Sequence, residues 1–352
     1  MTKENQPTII PITKKLTQHE QQALATILTR RFIPRSMLGN RHVMTMVGHF
    51  ISRPFPGIEK ISQERLFQVT NEAQMLTHCG WQVDKEKKPL VIVVHGLEGS
   101  SGSKYATGTA LKAYQAGFNV IRVNQRGCNN TFHLSPTPYH AGLTSDLRTI
   151  INEVTSKDGI STIYLVGFSL GGNQSLKLAG EYGDSPHKAL KGVCAISVPI
   201  DLADCADALH WVKNWVYEWN FLLSLHGSYK QRKKLNPSRY KLPSVWKALT
   251  MRHFDNLIVG PCNGFRDAND YYNQNSSGQF LKNITVPTLI IQAKDDPFIP
   301  FTPFEKTPYS EAVALLATEH GGHVGYVGAN QPNEDPFWVE NRAIEFFKLL
   351  SL

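Results

Sequence analysis

The chain has 352 residues, of which 41% are hydrophobic, 10% aromatic and 19% charged, enough apolar side chain to bury a large core and too much for a disordered polymer. Its 37 Lys and Arg exceed 29 Asp and Glu for a formal charge of +8, which admits a nucleic acid or an anionic membrane as partner only where the cations cluster. The five cysteines are odd in number, scattered and in no CxxC pair, which argues against a disulfide framework and a zinc site and for a reducing compartment.

Residues 1–25 are polar, carry Lys3, Glu4, Lys14, Lys15 and Glu20, and contain no apolar stretch of signal-peptide length. They are expected to form a loose N-terminal arm on a cytoplasmic protein, with the folded domain over 26–352. Leu66 to Val69 and Gln74 to His78, on either side of Asn71, predict an antiparallel hairpin at a sheet edge. Short β-branched runs follow at Leu90–Val94, Asn119–Val123, Thr162–Val166, Gly192–Ser197, Thr288–Gln292 and Ala312–Leu316. Continuous apolar strands alternating with helical segments predict an α/β fold with a mostly parallel central sheet covered by helices on both faces. Runs of this size fall far short of the roughly 20 residues that span a bilayer. Between Pro199 and Pro287 no comparable strand occurs, so about 200–285 is expected to be a helical cap inserted into the sheet domain. A closing helix is predicted from Pro336, capped by Asp335, with Phe337, Trp338, Ile344, Phe347 and Leu350 as its buried stripe.

Directly after the third parallel strand stands Gly167-Phe168-Ser169-Leu170-Gly171-Gly172, which fits the G-x-S-x-G nucleophile elbow in the strand-then-helix setting it requires. Glycines two before and two after the serine are needed because a Cβ there would strike neighbouring backbone. A serine hydroxyl becomes a nucleophile when an imidazole takes its proton and a carboxylate holds that imidazole in place. Both groups follow downstream, in Asp295-Asp296-Pro297 after one strand and His320-Gly321-Gly322-His323 after the next. Open α/β sheets place their sites on such loops, beyond the carboxyl ends of the strands.

Asp296 is favoured over Asp295 because Pro297 and Pro300 would rigidify its turn, and His323 over His320 because Gly321-Gly322 lets the chain turn back. Spacing alone leaves both choices open. A metal site built from these four residues would leave the elbow unexplained, and no H-E-x-x-H accompanies it. The oxyanion that develops in acyl transfer needs donors, expected to be the backbone N–H groups of Leu170, after the nucleophile, and Leu97, in the loop after the first parallel strand. The glycines of that loop match G-x-x-x-x-G-K-[ST] in no register, so a nucleotide site is unsupported.

Together, His95-Gly96-Leu97-Glu98-Gly99-Ser100, Asn124 to Cys128, Gly167 to Asn173, Asp295-Asp296-Pro297 and Gly321-Gly322-His323-Val324-Gly325 resemble the signature blocks of YheT-like α/β-hydrolases. That branch includes abhydrolase-domain lipid hydrolases and fungal acyl-ethanol ester synthases. Phe254-Asp255, Gly264-Phe265 and Asp270-Tyr271-Tyr272 extend the resemblance into the cap, and it covers about 30–350. It implies a catalytic triad of Ser169, Asp296 and His323, a carboxylic ester hydrolase with an acyl-serine intermediate, and no metal or organic cofactor. The alternatives are transfer of the acyl group to an alcohol at the same site, or a catalytically idle scaffold. Arg126 and Asp146 are expected to pair and buttress their loop. Asp255 and Asp270 are expected to hold the cap on the core, with Phe254, Tyr271 and Tyr272 packing.

The basic excess has an address. Residues 209–252 hold nine Lys and Arg against the single acid Glu218, so this one segment carries the whole +8. It also holds Trp211, Trp215, Trp219 and Trp246, the first three at i, i+4, i+8 along one helical face. The simpler expectation is that this stripe packs the cap onto the sheet domain. The sharper one is peripheral contact with an anionic membrane that supplies lipid esters to Ser169. A basic patch on the lid of an acyl-transfer site leaves no place for nucleic acid.

Overall fold

The computed structural model describes residues 16–241 and 245–352. Helix α1 (Gln18–Leu28) begins inside the expected arm. Thr17 and Glu20 cap it reciprocally, and Leu24, Ile27 and Leu28 form a buried stripe packed into the core, so a capping box and tertiary burial together order this segment. Residues 1–15 of the expected arm lie outside the described residues. Helix α2 (Arg41–Phe50) starts at Asn40, whose side chain accepts from the amides of His42 and Val43. Strands β1 (Gln63–Thr70) and β2 (Ala73–Gly80) make the expected edge hairpin.

The parallel part follows in chain order: β3 (Leu90–Val94), α3 (Lys104–Gln115), β4 (Asn119–Val123), α4 (Thr144–Asp158), β5 (Ile163–Phe168), α5 (Leu170–Tyr182) and β6 (Leu190–Ile196). The insertion carries α6 (Leu202–Leu209), α7 (Trp215–Leu235) and α8 (Ala268–Asn275), after which β7 (Thr288–Ala293), β8 (Val313–Thr318) and α9 (Trp338–Ser351) close the fold. The eight strands lie in the order β1-β2-β4-β3-β5-β6-β7-β8, antiparallel across β1, β2 and β4 and parallel from β4 onward. The chain thus winds outward from β3 in both directions. The loops after β3 and β5 diverge at that switch point and open a crevice.

Strands buried on both faces explain their unbroken apolar runs. Leu90, Ile92 and Val94 of β3 join Leu147, Ile150 and Ile151 of α4 on one face. Val91 and Val93 face the other way, toward Ala106 and Ala110 of α3, Leu24 and Ile27 of α1, and Ile344 and Phe347 of α9. The last helix starts two residues later than its sequence predicts. Asp335 does not cap it; the carboxylate accepts from the Phe337 amide at 3.1 Å and from Lys112 Nζ at 2.6 Å, closing the turn ahead. Trp338, Ile344 and Phe347 are buried as expected, whereas Phe337 and Leu350 are half-buried.

The tryptophan stripe does not pack onto the sheet domain. Trp211, Trp215, Trp219 and Trp246 are 48%, 63%, 51% and 46% exposed. The reason is that α7 is apolar on two sides: Leu222, Leu225 and Tyr229, at i, i+3, i+7, fill its inner face and leave Trp215 and Trp219 outside, while Trp211 lies ahead of the helix and Trp246 beyond it. No helix of the described residues is long and apolar enough to cross a membrane.

Candidate active site

Ser169 occupies the sharp turn from β5 into α5 with φ 51° and ψ −122°, a region that costs a non-glycine residue on the order of 1–3 kcal/mol. Close approach keeps the turn in place. A Cβ on Gly167 would lie 2.3 Å from the Gly171 carbonyl oxygen, and one on Gly171 would lie 2.5 Å from the carbonyl oxygens of Val94 and His95. The elbow glycines are therefore fixed by backbone contact, as the motif requires.

His323 Nε2 lies 3.0 Å from Ser169 Oγ, and its Nδ1 lies 2.9 Å from Asp296 Oδ2. The other Asp296 oxygen accepts from the amides of Phe298 and Ile299 at 3.2 and 3.0 Å. Burial pushes the Asp296 carboxyl upward, opposed by the adjoining imidazole and the two amides. The second pair sorts outward: Asp295 holds the Gly322 amide at 2.9 Å and meets the exposed His320 at 3.2 Å. Geometry thus brings Ser169, His323 and Asp296 into one hydrogen-bonded chain and leaves Asp295 and His320 at its rim.

Two contacts that sequence reasoning missed orient the imidazole. Thr45 Oγ1, on α2, accepts from the His323 amide at 2.9 Å and donates to the Arg41 carbonyl at 2.7 Å. The Phe298 ring sits against the imidazole with centroids 4.1 Å apart. Phe298 in turn packs on Tyr217 and Phe221 of α7, at 5.2 and 6.0 Å.

Leu170 is the first residue of α5, where an amide has no intrahelical acceptor. Leu97 follows Gly96, whose Cβ position would lie 3.0 Å from Ser169 Cβ, so the loop after β3 runs directly beside the nucleophile. His95 braces that loop. Its Nδ1 donates to the Gly96 carbonyl at 2.7 Å and its Nε2 accepts from the Gln125 amide at 3.1 Å; burial lowers its pKa to about 4, so the ring is a neutral strut. Arg126 forks onto Asp146 at 2.7 and 2.5 Å, both buried, which bears out the expected buttress.

Above Ser169 lies a cavity of about 320 Å³, lined chiefly by apolar residues such as Leu97, Leu170, Leu202, Leu209 and Phe221. Asp255 lines it too, with the Tyr272 hydroxyl donating to its carboxylate at 2.6 Å, and burial raises its pKa to about 7. Tyr271 ties the insertion to the core by accepting from the Ala141 amide at 2.9 Å. Phe254, Tyr271 and Tyr272 therefore pack and also line the cavity. Among the described residues, Asp270 bonds within the insertion, to the Arg266 amide and Gln274 at 3.0 and 2.9 Å, and Asp255 likewise bonds to Tyr272 of the insertion, so neither carboxylate holds it to the core as expected. Among the described residues, no group of three or more His, Cys, Asp or Glu could hold a metal ion.

A nucleophile poised beside an imidazole and carboxylate, under an apolar cavity, is an arrangement that can do acyl transfer. The model of the alpha/beta hydrolase fold family matches residues 89–328. The Escherichia coli (strain K12) protein YheT, named as an esterase, is 32% identical over 88% of this chain and 91% of its own length. Phospholipase ABHD3 of Bos taurus is 28% identical over 82% of this chain and 73% of its own. Among solved structures, the Pyrococcus furiosus esterase Pf2001 covers 84% of this chain and 96% of its own with a TM-score of 0.55 at 15% identity, a likeness of fold alone. Elbow, sheet order, the family model and the YheT match agree: the chain belongs to the α/β-hydrolase family, in its YheT-like branch.

Proposed function

We propose that the chain hydrolyses carboxylic esters of lipids or of medium-chain acyl groups through an acyl-serine intermediate. The observation that carries this is the unbroken chain from Ser169 Oγ through His323 to Asp296, at 3.0 and 2.9 Å. His323 takes the Ser169 proton as Oγ attacks the ester carbonyl, and Asp296 stabilises the imidazolium. The amides of Leu97 and Leu170 receive the oxyanion. Collapse expels the alcohol, protonated by His323; the same imidazole then deprotonates water, which releases the acid and frees Ser169.

The apolar cavity supports an acyl chain as the buried part of the substrate, and the relative named as a phospholipase supports a lipid ester. The five unpaired cysteines support a cytoplasmic setting. Contact of the insertion with an anionic membrane would bring such substrates to the site.

The test is fluorophosphonate labelling of the protein and of Ser169→Ala, followed by p-nitrophenyl esters of graded chain length. Labelling and turnover that both vanish in Ser169→Ala are expected; a wild type that takes no label and cleaves nothing rejects the reading. A new ester formed on addition of an alcohol would instead identify acyl transfer as the main reaction.

A further inference from the structure

We infer that the outer face of α7 and the adjoining segment 245–249 form the docking surface for an anionic lipid bilayer, an inference that rests on the lipid-ester reading above. Trp215, Val216, Trp219 and Leu223 fall on one side of α7 and are 63%, 59%, 51% and 44% exposed. Trp246 and Leu249, 46% and 66% exposed, adjoin them: Trp246 meets His226 of α7 with ring centroids 4.6 Å apart, and the Ala248 carbonyl lies 3.0 Å from His226 Nε2. Six large apolar side chains exposed on adjoining segments of a charged protein mark an interaction surface.

The occupant follows from charge. Further along the same side of α7, the apolar residues give way to Lys230 and Lys234, both exposed, and Lys247 stands exposed beside Trp246. Lys213 Nζ lies 4.6 Å from the Trp211 ring, and Lys230 Nζ lies 4.4 Å from the Trp246 ring. Tryptophan and aliphatic side chains rimmed by lysines match the acyl boundary and phosphate layer of an anionic leaflet. A neutral protein partner would leave those cations unanswered.

The same helix is one wall of the active site. Phe221, Ser224, Leu225 and Ser228 line the cavity from its inner side, and Tyr217 and Phe221 pack on the Phe298 ring that touches His323. A bilayer on the outer face would lie one helix diameter from the cavity. Lipid esters would then enter the site without first dissolving in water.

The test is flotation of the full chain with phosphatidylcholine vesicles, with and without phosphatidylglycerol, at low and high salt. Wild type is expected to float with the anionic vesicles and to be released by salt. W215S/W219S is expected to lose flotation at all salt concentrations. K230E/K234E is expected to reduce partitioning by more than about tenfold on anionic vesicles and little on neutral ones. Both double variants should cleave a short soluble p-nitrophenyl ester as wild type does, which separates failure of docking from failure of the esterase reading. Absence of flotation, or equal flotation of all three proteins, overturns the inference. So does a wild-type dimer that W215S/W219S converts to monomer with no vesicle binding, since the face would then belong to a second copy.

Discussion

The Glu98 carboxylate accepts a hydrogen bond from the Ser224 hydroxyl at 2.7 Å, joining the loop after β3 to helix α7 of the insertion. Ser228, one turn on, reaches the same oxygen at 2.8 Å, and the Tyr139 hydroxyl reaches the other at 3.2 Å. Glu98 is held with φ 52°, and its amide donates to Tyr139 at 2.6 Å. Its neighbour is Leu97, the proposed oxyanion donor, so the hydrogen bonds that anchor Glu98 also hold the loop that carries that amide.

Glu98→Ala should therefore lower kcat by roughly ten- to a hundredfold with KM nearly unchanged, less than the loss of an entire oxyanion donor. Glu98→Gln keeps an acceptor for the serines and should recover most of the rate. Steady-state kinetics on a soluble ester decide it; a rise in KM alone would place Glu98 in substrate binding instead.

The two histidines separate cleanly by position. His323→Ala should reduce kcat by about 10⁴-fold or more, because His323 is the base that meets Ser169 Oγ among the described residues. His320→Ala loses only a surface contact with Asp295 and should stay within about threefold of wild type. Equal losses in the two variants would reject the assignment.

These contrasts show what one dimension can carry. The elbow was legible because Gly167, Ser169 and Gly171 are neighbours in the chain and their collisions are local. The chain order of acid and base was legible because each follows a strand. The choice between Asp295 and Asp296 was legible only through the family resemblance: adjacent residues point in different directions, and spacing does not tell which one turns inward. Periodicity placed Trp215 and Trp219 on one face of α7 but could not say which way it points, because Leu222, Leu225 and Tyr229 offer a second apolar stripe. Thr45 was out of reach altogether, since nothing local links it to a loop 278 positions away.

That distant contact makes its own prediction. Thr45→Val preserves volume but removes the acceptor of the His323 amide, leaving a buried donor that costs about 1–3 kcal/mol and a loop free to shift. Turnover should fall while fluorophosphonate labelling slows in proportion, and Thr45→Ser should restore both. A Thr45→Val enzyme with wild-type kcat and only a lowered melting temperature would confine Thr45 to stability.

Asp255 should leave a signature in the pH dependence of stability. Its folded pKa of about 7 lies above the ordinary carboxyl value because burial disfavours the charge more than the Tyr272 hydroxyl favours it. Below about pH 4 both folded and unfolded chains hold the proton, and the group contributes no pH dependence. Between about pH 4 and 7 the unfolded chain has released a proton that the folded chain retains, so stability falls by about 1.4 kcal/mol per pH unit; above that range both are ionised and the loss is constant. Asp255→Asn has no proton to lose, and its amide oxygen still accepts from Tyr272. The melting temperature of Asp255→Asn relative to wild type should therefore climb from about pH 5 to about pH 7 and level off beyond it. A difference that stays flat across that range would mean that Asp255 is ionised in the folded protein throughout, with its charge answered by the cavity rather than suppressed by it.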